Sequence, residues 1–486
     1  MKKISLLLAA LVMTAAAGLN TISAQRVWAY GLSLSQENAS YTFAFTAVTD
    51  ATEANLVFTD AEGKEVGKVA VKDVKQGANT VTLTTDQIPG KDVTLNWAVE
   101  LKGAAIETLT EVTDVEKGIY NFYIPQGVAV DNNPESENFG NIYIAEPQYN
   151  EQADGGTDRT KTQKPGIFTY DALLNELNTT NVGYLPANIT LANTNRQEIH
   201  RIAVRPTDGL VAFAHNVAPT AVWTVPATGD AVNMIEGVSE ITLANSLCFD
   251  EKGVLYVLDN ANTTTGGTIY KVENGKATKI IQSTVWANAD NAITSDGRGG
   301  LWVAQHRWAL DAYNALTHVN AKGEIDYAVN SSADKAITSM FDRDYSMSTR
   351  GQLAYDTKRN VLGFGGNKKV TLFDVTYNAE TGVPTLVKGV QTAALGGNID
   401  GVAFDYAGDL LVLCASVERF YKFAVPTTDN SIVVPAQKSQ TIVKSTGTFV
   451  DNTEVAMPQA QKVVRNGQVY IVRDNVMYDM MGQVVE

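Results

Sequence analysis

The sequence predicts an all-β protein: an immunoglobulin-like β-sandwich, then a six-bladed β-propeller, then a short β C-terminal tail. The first observation is a phrase that recurs about six times between Gly127 and Leu413, with clear copies at Gly127–Asp131 and Gly401–Asp405. Each copy is an apolar strand ending in Asp, a turn and a second apolar strand, which is typical of a propeller blade. The second and third observations are short alternating strands before this region and a few short strands after it.

Residues 1–24 are expected to be a signal peptide. Lys2 and Lys3 precede an apolar run that begins at Ile4, and a small-x-small cleavage motif ends at Ala24. No cysteine stands at the cleavage site, and no later run approaches the ~20 apolar residues of a membrane span. We therefore expect an exported protein, in the periplasm, at the cell surface or outside the cell, without a membrane span.

Residues 25–115 form the predicted sandwich. Strand patterns such as Ser40–Thr46 and Val93–Val99 alternate apolar and polar residues, and about seven of them fit in this segment. The chain has only two cysteines, Cys248 and Cys414, and both lie beyond this segment, so no disulfide joins its sheets. Modules of this kind serve as spacers more often than as ligand-binding domains, and we expect a spacer.

Residues 116–445 form the predicted propeller. The sequence leaves open a seventh blade, which would form if Ile432–Val443 pairs separately. Residues 446–486 are expected to be a linker and a short tail. The predicted inner strands of the six blades start at Val128, Ile202, Leu247, Ala292, Leu353 and Val402.

Pro125–Asp131, followed by Gly140–Ala145, resembles the NHL-repeat propellers, here of an exported Bacteroidetes protein with an Ig-like module. The tail, with Tyr478-Asp479 and then Gly482-Gln-Val484, is similar to the sorting domains of such proteins. Whether the tail directs secretion stays open. The resemblance implies the fold but not one activity, since NHL-like relatives include binders, lactonases and lyases.

Charge and motifs narrow the classes of function. The net charge of −15 repels phosphate backbones and anionic lipid, which argues against nucleic acid as a partner. Neutral ligands such as a glycan or a peptide remain, as do cations. No compact catalytic motif is present, and four histidines with two cysteines make a zinc site improbable. A non-catalytic binding or scaffold role is favoured, and enzymatic activity stays open.

The candidate binding residues are those that a propeller would gather at one mouth of its channel. The loops between second and third strands add His306, Arg307 and Trp308. Trp308 does not recur from blade to blade, so it is a candidate for stacking on a sugar. The positions two residues before the predicted inner strands contribute Gln126, His200, Asn245, Asp290 and Asp400.

A metal site is the alternative for the same ring. Asn245, Asp290 and Asp400 offer the oxygen ligands that Ca²⁺ prefers. The ring is similar in type to that of gluconolactonase-like propellers, which hold a metal with a Glu, two Asn and an Asp. That resemblance implies a metal-dependent hydrolase or lyase. This chain has no Glu in the family's first-blade place, where Gln126 stands nearest. A third interpretation is that these polar residues cap turns and solvate the mouth.

Overall fold

The computed structural model describes residues 25–91, 93–113, 120–148, 164–178, 182–191, 198–259, 266–286, 291–305, 314–330, 352–366 and 368–444, with strands between 461 and 485. The chain divides into two compact units, one of Met1–Pro89 with Leu95–Ile442 and one of Gly90–Thr94 with Val443–Glu486. Among the described residues, no helix is long and apolar enough to cross a membrane.

The amino-terminal part of the first unit is a sandwich of two antiparallel sheets. One sheet has the order β1-β2-β5, and in the other β3 lies between β4 and β6. The ring of Phe43 in β2 packs against Phe58 in β3 and Trp97 in β6, with centroid distances of 5.8 and 5.0 Å, so these aromatics form the core between the sheets. The strands are β1 Ala29–Glu37, β2 Ser40–Ala47, β3 Glu53–Thr59, β4 Glu65–Val71, β5 Gly77–Thr84 and β6 Val93–Lys102.

Six small sheets follow in the described part of the chain, each built of consecutive antiparallel strands. Their strands are β8 Gly127–Val130, β9 Ile142–Glu146 and β10 Gly166–Tyr170; β11 Arg201–Val204, β12 Val211–His215 and β13 Ala221–Thr224; β14 Ala244–Phe249, β15 Leu255–Asp259, β16 Gly267–Glu273 and β17 Lys276–Ser283; β18 Ala292–Ser295, β19 Leu301–Ala304, β20 Asn314–Val319 and β21 Ile325–Asn330; β22 Gln352–Asp356, β23 Val361–Gly365, β24 Val370–Tyr377 and β25 Pro384–Gln391; β26 Gly401–Phe404, β27 Leu410–Cys414 and β28 Arg419–Ala424. Short 3₁₀ turns lie at Thr85–Gln87, Thr284–Trp286 and Ala415–Val417.

The first strands of these sheets form a closed ring. Each contacts the next in the order β8, β11, β14, β18, β22 and β26, and β26 returns to β8. A central cavity of about 50 Å³ is lined by residues from all six first strands. Sheets arranged radially around such an axis are a β-propeller, so the predicted all-β class and the propeller are confirmed.

Glycine is required where neighbouring first strands approach most closely. A Cβ atom added to Gly127 would lie 3.1 Å from the backbone N of Ile202, and one added to Gly401 would lie 3.2 Å from the backbone N of Val128. At such distances the neighbouring main chain would have to shift by a few tenths of an ångström to admit a side chain. The two glycines therefore allow the sixth, first and second sheets to pack around the axis.

In five of the six sheets the repeated phrase ends in an Asp that holds the turn between first and second strands, and in the second sheet Arg205 stands at this position. Oδ1 of Asp250 accepts hydrogen bonds from the backbone N–H groups of Lys252 and Val254, each at 2.9 Å. Asp131, Asp296, Asp356 and Asp405 accept backbone N–H bonds in the equivalent turns. Asp stabilises such turns by bonding the N–H two or more residues on. The Asp of the repeated phrase, which is the strongest signal in the sequence, thus stabilises the fold.

Two strands pair with partners on the other side of the predicted boundary between sandwich and propeller. β7, Thr110–Glu111, pairs with β28 and so closes the last propeller sheet with a strand from the amino-terminal side. β29, Ser431–Pro435, pairs with β6 and extends the second sandwich sheet, with Val434 fully buried. β7 lies within the predicted range 25–115 and β29 within 116–445, so each strand pairs across the predicted boundary, with residues more than 300 positions away. Ile432 to Pro435 thus pair with the sandwich strand β6.

Sandwich and propeller share a hydrophobic cluster that includes Trp28, Phe139, Tyr406 and Val434. Beside it, the half-buried Arg26 guanidinium donates to three main-chain oxygens, each at 3.1 Å, and its Nε lies 3.9 Å from Oδ1 of Asp409. These carbonyls belong to Val425, Ala407 and Pro426. The propeller is therefore inserted in the sandwich and packed against it.

The second unit contains a sheet of β31 Gln461–Arg465, β32 Gln468–Arg473, β33 Val476–Tyr478 and β34 Val484–Val485, in that order. The short strand β30, Ile442–Lys444, precedes it in the chain. The sequence also predicts short strands in this C-terminal tail.

Candidate binding site at the channel mouth

A ring of polar residues lies one position before the channel-lining residues of the first strands. In the first sheet Gly127 pairs with Ala145, so Gln126 is the mouth residue, and in the second sheet Arg201 pairs with Ala214, so it is His200. The same position is held by Asn245, Asn291 and Asp400 in the third, fourth and sixth sheets. All five side chains are buried.

In the fourth sheet, the mouth position equivalent to Gln126 belongs to Asn291, whereas the sequence predicted Asp290. Ala292 pairs with Ala304 as Gly127 pairs with Ala145, so the register selects Asn291 as the mouth residue. The prediction starts this strand at Ala292, where β18 begins, but starts the strands of other sheets one residue inside β8, β11 and β26, so the same count back gives Asp290 here. A slip of one residue exchanges the side chains on the two faces of a strand. Asp290 itself lies outside the described residues, as do His306, Arg307 and Trp308.

Hydrogen bonds from the mouth residues join neighbouring sheets. The guanidinium of Arg201 donates to the backbone oxygens of Gln126 and His200, both at 2.9 Å. Nδ2 of Asn245 donates to the backbone oxygen of Asn291 at 3.2 Å, and Oδ1 of Asn245 accepts from Asn216 Nδ2 at 3.2 Å. These bonds thus fasten the first sheet to the second, the second to the third and the third to the fourth.

The carboxyl groups at the mouth bind backbone N–H groups. Oδ2 of Asp400 accepts from the N–H of Ala415 at 2.7 Å. Glu146, which ends β9, accepts from the N–H groups of Ile124 and Gln148 at 2.9 and 3.2 Å. Burial raises the pKa of Glu146 to about 8, against the opposing effect of these hydrogen bonds. Glu146 is therefore mostly protonated and uncharged at pH 7.

The described mouth residues do not fit a divalent cation. The carboxyl groups of Asp400 and Glu146 already accept hydrogen bonds from backbone N–H groups, and the Arg201 guanidinium lies in the same ring. Within the part of the chain that the structure describes, no group of three or more His, Cys, Asp or Glu residues is placed to hold a metal. Calcium sites need several oxygen ligands with net negative charge, and the positive charge of Arg201 in this ring opposes a cation.

Sequence reasoning missed several mouth residues, among them Asn291, Arg201 and Gln305. Gln305 follows Ala304 as Glu146 follows Ala145, and its side chain is buried. Neither polar atom of the Gln305 side chain has a hydrogen-bond partner among the described residues. The sequence does contain a signal for Gln305, because Ile-Ala-Glu146 and Val-Ala-Gln305 follow the same pattern of two apolar residues and a polar one.

The chain matches no protein-family model, and none of the curated proteins matches it. Solved structures align with it at low sequence identity. A protein of unknown function from Bacteroides thetaiotaomicron aligns at 10% identity over 82% of this chain and 98% of its own, with a TM-score of 0.41. A gluconolactonase from Xanthomonas campestris aligns at 11% identity over 68% and 90%, with a TM-score of 0.42. An auxiliary nutrient binding protein from Bacteroides ovatus aligns at 10% identity over 82% and 98%, with a TM-score of 0.39. The class, a β-propeller, follows from the sheet topology.

Proposed function

We propose that the protein is an exported, non-catalytic binding protein that holds a neutral glycan or peptide at the channel mouth. Its propeller would be six-bladed and NHL-like, and its sandwich Ig-like. The observation that carries the proposal is the chemistry of the ring, in which amides and an imidazole from Gln126, His200, Asn245 and Asn291 accompany one carboxylate and one guanidinium. Groups of this kind suit the hydroxyl and amide groups of uncharged ligands.

The ligand would sit above the ring and not within the channel. The central cavity of about 50 Å³ is far smaller than the ~300–1,000 Å³ of small-molecule sites. The buried ring would form the floor, which Gln305 supplements with an amide that has no partner among the described residues. His306, Arg307 and Trp308 directly follow Gln305 in the sequence, and we propose that they form part of the wall.

The test is binding of the mature protein, from Gln25 onward, to glycan and peptide arrays, with Trp308→Ala and Asp400→Asn as variants. Loss of one stacking contact costs about 1 kcal/mol. We therefore expect Trp308→Ala to weaken binding about fivefold or more, and Asp400→Asn to have the smaller effect.

The rival function, a metal-dependent hydrolase or lyase, gives the opposite pattern. It requires tightly bound calcium in the purified protein, lost in the double variant Asp290→Asn with Asp400→Asn. Stoichiometric calcium measured by mass spectrometry would replace the binding function with the enzymatic one. Wild-type affinity in both Trp308→Ala and Asp400→Asn would place the ligand elsewhere.

A further inference from the structure

A cleft lies between the first two propeller sheets, on the side of the turns that join first to second strands. Its cavity of about 830 Å³ is within the range of ligand sites. Asn138 and Asn141 of the β8–β9 turn line one wall, and Asp208 and Leu210 of the β11–β12 turn line the opposite wall. These turns are at the opposite end of the first strands from the mouth residues, so the cleft is a separate place on the molecule.

The cleft continues towards the sandwich. A second cavity of about 420 Å³ shares Asn141 and Leu177 with the first and is lined by Tyr30 of β1 and Gln437, which follows β29. The hydroxyl of Tyr30 donates to Oδ2 of Asp171 at 3.1 Å across this junction. Pockets at the junction of two packed modules are favoured places for ligands.

Two aliphatic side chains are exposed within the cleft. Leu177 is 54% exposed and Val182 is 37% exposed, and both belong to the segment that follows β10. Of the aromatic residues in the lining, Tyr143 and Phe139 are buried, at 6% and 8% exposed, whereas Tyr184 and Tyr30 are half-buried. Branched aliphatic groups at the rim match aliphatic side chains better than the flat face of a sugar ring.

The charge of the cleft argues against an anionic ligand. The residues that line the two cavities, all within the described part of the chain, include no lysine, arginine or histidine. Asp208 is paired with Arg205, and Asp171 accepts from Tyr30 and Asn175, while Glu137 is exposed. The lining is thus neutral to weakly acidic, which suits an uncharged or weakly basic ligand.

The cleft already holds one amide group that mimics a peptide. The side chain of Asn178 accepts from the N–H of Thr169 and donates to the oxygen of Ile167 at 3.1 Å, so it pairs with the outer edge of β10. Leu177 N–H donates to the Thr169 oxygen at 2.8 Å, so this edge is occupied. A ligand would therefore bind through side chains, such as the exposed amide of Asn138, and not by adding a strand.

From these observations we infer that the cleft binds a short extended peptide, uncharged or weakly basic, whose aliphatic side chains contact Leu177 and Val182. Its main chain meets the amides of Asn138 and Asn141. This site goes beyond the proposed function at the channel mouth and shares none of its residues, so either can fail alone.

The test is selection of a phage-displayed library of random 12-residue peptides on the mature protein, followed by fluorescence anisotropy with a selected synthetic peptide. Leu177→Asp and Val182→Asp should each weaken binding at least tenfold. Val232→Asp is the matched control, because Val232 is 61% exposed and does not line the cleft. This control should bind as wild type does, and thermal unfolding should show that all three variants are folded.

Three outcomes would overturn the inference. The library could yield no enriched sequence, the selected peptides could be acidic, or their binding could be unaffected by Leu177→Asp and Val182→Asp. Peptides whose binding is lost in Trp308→Ala and kept in Leu177→Asp would assign the peptide to the channel mouth. Binding of an oligosaccharide on a glycan array that is lost in Leu177→Asp would assign the cleft to a sugar.

Discussion

Nδ1 of His318 lies 2.6 Å from Oδ1 of Asp326 in the fourth propeller sheet. The other ring nitrogen lies 3.0 Å from Oδ2 of Asp296, the Asp that holds the turn of that sheet, and the imidazole packs on Trp302. Burial lowers the pKa of His318, but the hydrogen bonds to both carboxylates outweigh burial and leave this pKa raised. The buried imidazole is thus stabilised as a cation between two anions.

Replacing His318 with Gln should reduce stability in a pH-dependent way. Because the folded pKa of His318 is above its usual value, its contribution is fully present below about pH 6.5 and is lost as pH rises through the folded pKa. Burial raises the pKa of Asp296, but hydrogen bonds from His318 and from backbone N–H groups leave this pKa lowered. The stabilisation from the charged pair is therefore lost at acid pH only below about pH 4. We expect a loss of about 1–3 kcal/mol near pH 5.5 and less at pH 9, measured by denaturant unfolding. Equal losses at both pH values would contradict the charged pair.

Adding a side chain at the closest approach of first strands should destabilise the ring. Gly401→Val would bring new atoms within about 3 Å of the Val128 main chain, as Gly127→Val would for Ile202. Overpacking of this kind costs about 1–3 kcal/mol. Ala292→Val is the comparison, since the fourth sheet already accommodates a Cβ at the equivalent position. Calorimetry should show the larger fall in melting temperature for the two glycine variants.

Residues 25–115 alone should not form a stable sandwich. Without β29, the edge of β6 loses its partner strand and the core loses the buried Val434. A chain of residues 25–104 joined by a flexible linker to residues 428–442 restores both and should fold better. Circular dichroism and limited proteolysis would compare the two. Cooperative unfolding of the 25–115 fragment at the same temperature as the joined chain would show that β29 is dispensable.

Arg26→Met should destabilise the contact between sandwich and propeller. The change removes three charge-assisted bonds to main-chain oxygens and the ion pair with Asp409, for a cost of about 2–4 kcal/mol. Lys102→Met is the control, because its ion pair with Glu53 is exposed and worth less than about 1 kcal/mol. Chemical denaturation of both variants measures the difference, and similar midpoints would argue against the role of Arg26.

The sequence predicted those parts of the fold that depend on local pattern. The first and second strands of the sheets were found because burial on both faces gives apolar runs such as Gly127–Val130. The pairing of β29 with β6, and that of the two-residue strand β7 with β28, could not be predicted from the sequence. Partners separated by more than 300 residues leave no periodic signal. At the candidate site, the sequence predicts that Gln126, His200, Asn245 and Asp400 lie at one mouth of the channel. Asn291 was missed, because register depends on contacts with the next sheet.

The insertion of the propeller in the sandwich has a mechanical consequence. Val27 N–H donates to Asn430 Oδ1 at 2.9 Å, and Asn430 Nδ2 lies 3.4 Å from the oxygen of Gln25, so the chain leaves the propeller beside the point where the described residues begin. Tension applied between Gln25 and Pro435 would therefore be borne first by these bonds and by β29 sliding along β6 in shear. The propeller would carry no load until these hydrogen bonds and the β29–β6 pairing break, because it lies between them in the chain.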